Sequence, residues 1–76
     1  MSTPTREAQA NAVTIEQVPA ALLSPADRAA YIARALAGED VYAYWSAAGW
    51  NIWIGDEMDM KTGYRGVRHY LGEEAL

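Results

Sequence analysis

The chain has 76 residues, ten of them acidic and six basic, for a net charge of −4, and it contains no Cys. A chain of this length makes one domain and buries only roughly 60% of the surface its unfolded form exposes, so its stability margin is thin. The lack of Cys excludes a disulfide framework and a thiolate metal site, and His69 alone cannot hold zinc. The negative charge repels a phosphate backbone and disfavours a general nucleic-acid binder.

No apolar run approaches the roughly 20 residues needed to span a bilayer, and the first residues, Met1 to Glu7, lack a hydrophobic signal core. A cytoplasmic protein that does not engage membranes is expected. Fifteen Ala and five Arg against one Lys fit a GC-rich bacterial coding sequence.

Residues 1–13 are polar and Ala-rich. Ser2 or Thr3 before Pro4, with Glu7 following, suits the start of a short helix. Its apolar face is poor, so a frayed or conditional segment is expected. Thr14 to Val18 reads as one helical turn or a short edge strand, interrupted by Pro19, with Leu22 and Leu23 as core plugs.

Ser24-Pro25-Ala26-Asp27 is the clearest local signal: a Ser cap, Pro at the first helical position, and an acid facing the positive end of the helix dipole. A helix is expected through Ala37, stopped by Gly38. Ala29, Ile32, Ala33 and Leu36 form its expected buried stripe, with Asp27, Arg28 and Arg34 toward water.

Five aromatic rings, including all three Trp, fall between Val41 and Ile54 in a chain without Phe. The β-propensity of Val, Tyr and Trp favours a hairpin around Ser46 to Gly49, although Asp40 as cap and Gly49 as stop also permit a short helix. In the hairpin register Trp45 faces Trp50, Ala43 faces Ile52 and Val41 faces Ile54, all on one side. Trp45, Trp50, Ile52 and Ile54 are then the expected core. Tyr42, Tyr44, Asn51 and Trp53 fall on the other side, where Tyr42, Tyr44 and Trp53 form a face that one helix cannot also cover.

Asp56, Glu57 and Asp59 precede a basic segment, Lys61, Arg65, Arg68 and His69, interleaved with Tyr64 and Tyr70. Two antiparallel strands joined around Lys61-Thr62-Gly63 satisfy this opposition of charge. One register sets Asp59 near Arg65 and Asp56 near Arg68, with Gly55 and Gly66 as candidate bulges that leave the facing open. Residues 72–76 read as a tail.

The expected architecture is therefore α+β: one domain over residues 1–76, with one capped helix on an antiparallel sheet of about three strands and a flexible N-terminal segment. The acids do not match a calcium loop, Lys61-Thr62-Gly63 lacks the glycines of a phosphate loop, and His69 has no catalytic partner at motif spacing. The expectation is a protein-binding module, not an enzyme, needing neither metal nor cofactor. Tyr42, Tyr44 and Trp53 are its candidate anchors, and Asp56, Glu57, Asp59, Arg65 and Arg68 its candidate orienting charges.

In size and character the chain resembles phage-encoded or mobile-element inhibitors of host machinery, including anti-CRISPR proteins. No motif matches a named family, so no functional residue is carried over. The resemblance implies a protein partner such as a bacterial defence or regulatory complex. Two alternatives stand beside it: an antitoxin or regulatory nucleic-acid binder using residues 61–70, and a self-associating structural subunit, such as a homodimer paired through the aromatic face.

Overall fold

The computed structural model describes residues 3–73. The order of elements is α1 (Arg6–Glu16), α2 (Pro25–Leu36), β1 (Val41–Ser46), β2 (Gly49–Met58) and β3 (Arg65–Gly72), with the strands in one antiparallel sheet of order β1-β2-β3. The α+β class stands, with a second helix where a frayed segment was expected. No described helix is long and apolar enough to cross a membrane.

Helix α1 starts at Thr5, whose hydroxyl accepts from the Ala8 amide at 3.1 Å, rather than at Ser2 or Thr3. It buries Ala8, Ala12 and Ile15. Thr14 to Glu16 form its last turn, so the strand alternative for this segment is not adopted. Two long-range contacts hold this modestly amphipathic element. Arg28 Nη1 donates to the Ile15 and Glu16 carbonyls at 2.8 and 3.2 Å, and its Nη2 donates to the Val18 carbonyl at 2.7 Å. A guanidinium thus occupies the negative end of α1, adding to the bond the Ile15 carbonyl accepts from the Val18 amide and supplying donors to the Glu16 and Val18 carbonyls. The expectation that Arg28 points to water is corrected: it is half-buried because α1 ends against α2.

Thr14 makes the second contact. Its hydroxyl donates to the Asn11 carbonyl at 2.7 Å and accepts from the Ala43 amide at 3.1 Å. Ala43 lies on an edge strand, so α1 supplies an acceptor that no neighbouring strand offers.

Ser24 caps α2 as expected, accepting from the Asp27 amide at 3.1 Å. The facing of α2 differs. Ala35 is fully buried and Arg28, Tyr31 and Ile32 are half-buried, whereas Ala29, Ala33 and Leu36 are exposed. The apolar arc of this Ala-rich helix is wide enough for two orientations. Packing against α1 selects the one that places Arg28 beneath the end of α1.

The core comprises Ile15, Val18, Leu23, Ala35, Val41, Ala43, Ile52 and Ile54, with Leu22, Tyr31, Ile32, Trp50 and Leu71 packed around it. Leu23 is buried and Leu22 half-buried, as expected of core plugs. Both helices therefore cover the same side of the sheet.

Replacing Arg28 with Met keeps the aliphatic stem but removes its donors. Urea unfolding followed by Trp fluorescence is expected to show a loss of about 2 kcal/mol, the scale of a charged hydrogen-bond set. Thr14→Val strands the Ala43 amide and is expected to cost about 1–3 kcal/mol in the same assay.

Candidate protein-interaction surface

The β1–β2 hairpin has the expected register: Val41 pairs with Ile54, Ala43 with Ile52 and Trp45 with Trp50. Ser46 also pairs with Gly49, so the connection tightens to Ala47-Ala48. A polar network pins this turn. Ser46 Oγ donates to the Gly49 carbonyl at 3.2 Å and accepts from the Ala48 amide at 3.3 Å. Asn51 Nδ2 donates to Ser46 Oγ and to the Gly49 carbonyl, both at 3.1 Å. Asn51 is 2% exposed and is the buried polar residue of the described chain. From β3, the Tyr70 hydroxyl donates to the Ala48 carbonyl. Gly49 has φ +127°, and a Cβ there would lie 2.5 Å from the Gly72 carbonyl oxygen, so both conformation and space require glycine.

Alternation then sorts the aromatic residues. Trp45 and Trp50 lie on the helix side and meet edge to face, with centroids 5.9 Å apart. This geometry adds about 0.5–1.5 kcal/mol beyond area burial. Trp50 packs on the core, but Trp45 is 55% exposed, which corrects its expected core role. It sits at the hairpin end, and its ring shields Trp50 without being enclosed itself.

On the opposite side, Tyr42 stands across from Trp53, which stands across from Arg68, while Tyr44 stands across from Asn51, which stands across from Tyr70. The helices occupy the other side, so these residues form an open face. The Tyr42 and Tyr44 rings lie 6.0 Å apart, tilted by 49°. Burial raises the Tyr42 pKa, and the nearby Asp40 charge adds to the effect.

Trp53 is held in place from two directions. Its indole Nε1 donates to Asp40 Oδ2 at 3.1 Å. Its six-membered ring lies so close over Gly66 that a Cβ there would fall 2.3 Å from ring carbons. Gly66 has φ +107°, a conformation that side chains rarely adopt, so this position supplies both a backbone irregularity and a seat for the indole. The ring is thereby ordered before any partner arrives, which lowers the entropy cost of using it as an anchor.

The expected charges do not act as one set. Arg65 pairs with Met58 next to the turn and, past a register shift between Ile54 and Met58, Arg68 pairs with Trp53, instead of Asp59 and Asp56. The turn offsets the first pairing by one residue, and the irregularity consumes two extra residues of β2, so Arg68 falls three residues from Asp56. Arg68 joins the aromatic face. Asp56 and Arg65 are exposed, away from their expected partners. Asp59 caps the β2–β3 turn, its Oδ1 accepting from the Lys61 amide at 2.8 Å.

Glu57 Oε2 lies 3.0 Å from His69 Nε2. His69 pairs with Ile52 on the helix side, whereas Arg68 and Tyr70 lie on the open face, so the basic and aromatic segment is split between two sides. Arg34, joined to Glu39 at 3.0 Å, lies near Glu57, and its pKa is raised first by the hydrogen bond to Glu39.

Two features fell outside the sequence reading. Tyr70 belongs with Tyr42, Tyr44 and Trp53, a placement that required the β3 register. Met58, Met60 and Tyr64 are exposed around the β2–β3 turn, where charge had been the salient sequence signal. Gly72 ends β3 and is not part of a tail, and residues 74–76 of that expected tail lie outside the described residues.

No family model matches the chain, and no match to it emerges among curated proteins or solved structures. The functional reading therefore depends on the surface itself.

Gly66→Ala is expected to cost about 1–3 kcal/mol through its positive φ and to push the Trp53 ring aside. In a proton–nitrogen NMR spectrum, the Trp53 indole resonance should shift as its bond to Asp40 is lost, while that of Trp45 should stay in place. An unmoved Trp53 resonance would show that Gly66 does not seat the ring.

Proposed function

We propose that this chain is a protein-binding module whose docking surface is the helix-free face of its sheet. The observation that carries this reading is the pre-positioned Trp53, bonded to Asp40 and seated on Gly66, beside Tyr42 and Tyr44. Tyr and Trp at the centre of a patch supply apolar contact area with a polar tip, the composition from which binding hot spots are built. Tyr70 and Arg68 extend the patch across β3. The ring faces displace water from the partner, and Arg68 orients it by charge. Asp56 and Arg65, both exposed, steer the approach from the rim.

The mechanism is stoichiometric: the chain occupies a surface that its partner needs for its own work. In that role it is an inhibitor of a bacterial host protein or complex, of the kind carried by phages and mobile elements, acting in the cytoplasm. Of the 61–70 cations Arg68 pairs into the aromatic face while His69 lies on the helix side; a single cation among the rings favours a protein partner over nucleic acid, which is held by a positively charged groove along its backbone.

The test is affinity capture from host lysate with the native chain and with Tyr42→Ala/Trp53→Ala, each shown to be folded by circular dichroism. Mass spectrometry should identify a protein retained by the native chain. Its affinity for the double variant is expected to fall at least about tenfold, as for loss of hot-spot residues. Equal retention by both chains would refute the open-face reading.

A further inference from the structure

The two edges of the sheet are finished differently. On β1 the outward amides are bonded within the chain: Val41 donates to the Glu39 carbonyl at 2.9 Å and Ala43 to Thr14 Oγ1 at 3.1 Å. The other edge is β3, and no described strand lies beside it. Both helices pack against β1 rather than β3.

The parity of pairing identifies the groups that stand open. Because the Ala43 amide points away from β2, Ala43 and Ile52 exchange no backbone bonds, and Ile52 turns its amide and carbonyl toward β3. The register from Asn51 to Ile54 is regular, so Ile52 bonds with His69 and Ile54 with Val67. Arg68 and Tyr70 therefore direct their amides and carbonyls outward, and no described backbone group outside the sheet bonds to them. Both residues are exposed, with their side chains on the open face.

Charge along this edge is also unanswered. Arg34 and His69 face Glu39 and Glu57, whereas Arg65 and Arg68 are exposed and form no ion pair among the described residues. Two copies of β3 set side by side would bring these like charges together along one seam, which is how edges resist pairing with themselves. An acidic strand would turn the same charges into an attraction.

We infer that the outer edge of β3 takes up an extended, acidic segment of a partner protein as a fourth strand. The segment bonds through its backbone to the amide and carbonyl of Arg68 and of Tyr70. Alternation then sets an acid across from Arg68 on the open face and apolar side chains across from Val67 and Leu71, both half-buried, on the helix side. Backbone pairing supplies affinity and the side chains supply selectivity. The inference rests on the reading of the chain as a protein-binding module but not on its ring face, since β2 and β3 separate the added strand from Tyr42 and Tyr44.

The probe is the peptide acetyl-Val-Thr-Thr-Asp-Val-Thr-Glu-amide. In antiparallel register it puts Asp across from Arg68, its two Val across from Val67 and Leu71, and Glu toward Arg65. In the free chain, NMR should show the Arg68 and Tyr70 amides exchanging with solvent faster than those of Val67 and His69. Titration to about 5 mM, several times a dissociation constant on the order of 1 mM, should shift and protect those two amides and leave Val41 and Ala43 unmoved. A peptide with Lys in place of Asp and Glu should bind at least about fivefold more weakly, and Arg68→Glu should reverse that preference. Tyr42→Ala/Trp53→Ala should take up the probe as the native chain does, so the edge and the ring face fail separately. The inference is overturned by equal exchange of the four amides, by no shift at the top of the titration, or by equal binding of the Lys peptide. Shifts confined to Tyr42, Tyr44 and Trp53, or loss of binding in the double variant, would overturn it by placing the probe on the rings. Dilution-dependent shifts at Arg68 and Tyr70 without probe would overturn it by placing a second copy on the edge.

Discussion

A sheet has two faces, and this chain has helical surface for one. Its two helices lie on the side of Val41, Ala43, Ile52 and Ile54, and the core is built there. Every strand residue of opposite parity must then be accommodated without a covering layer. The sequence meets this constraint with residues that tolerate both water and packing: Tyr42 and Tyr44 lie against each other, Trp53 rests on Gly66, the Tyr70 hydroxyl bonds to the Ala48 carbonyl, and Asn51 is buried within a hydrogen-bonded turn. A candidate docking surface follows from the same arithmetic that makes the core.

Two polar residues make the single-sided arrangement workable. Arg28 closes the end of α1 and binds it to α2, and Thr14 attaches α1 to the outer edge of β1. Neither contributes much apolar area. They matter because small helices with many Ala residues gain little from burial alone and need their backbone ends satisfied. The helical pair is thereby fixed over the sheet, with the outer flank of α2 left open.

Much of this was legible from residues. The β1–β2 register followed from alternation around Gly49, and the start of α2 from Ser24, Pro25 and Asp27. What escaped reading depended on contacts distant in sequence. The stability of α1 comes from Arg28 and from the burial of Ala8, Ala12 and Ile15, which its own composition does not advertise. The orientation of α2 was ambiguous because Ala occupies both of its flanks. The β2–β3 register was lost to a one-residue offset at the turn, which sets Arg65 across from Met58, and to the irregularity between Ile54 and Met58, and with them went the charge pairings and the place of Tyr70. Among the candidate site residues, Tyr42, Tyr44 and Trp53 do share a face, whereas Asp59 and Glu57 are engaged locally.

The strands lie side by side in the order in which they occur along the chain, without a crossover. Each strand therefore finds its neighbour through a short loop, a topology associated with rapid folding because little loop-closure entropy must be overcome first. The aromatic face is nevertheless assembled late in that order. Tyr42, Tyr44 and Trp53 belong to β1 and β2, but the seat beneath Trp53 and the hydroxyl that locks the first turn come from Gly66 and Tyr70 on β3. A nascent chain ending before β3 would carry the rings without their support, so the surface becomes fully formed only when the sheet does.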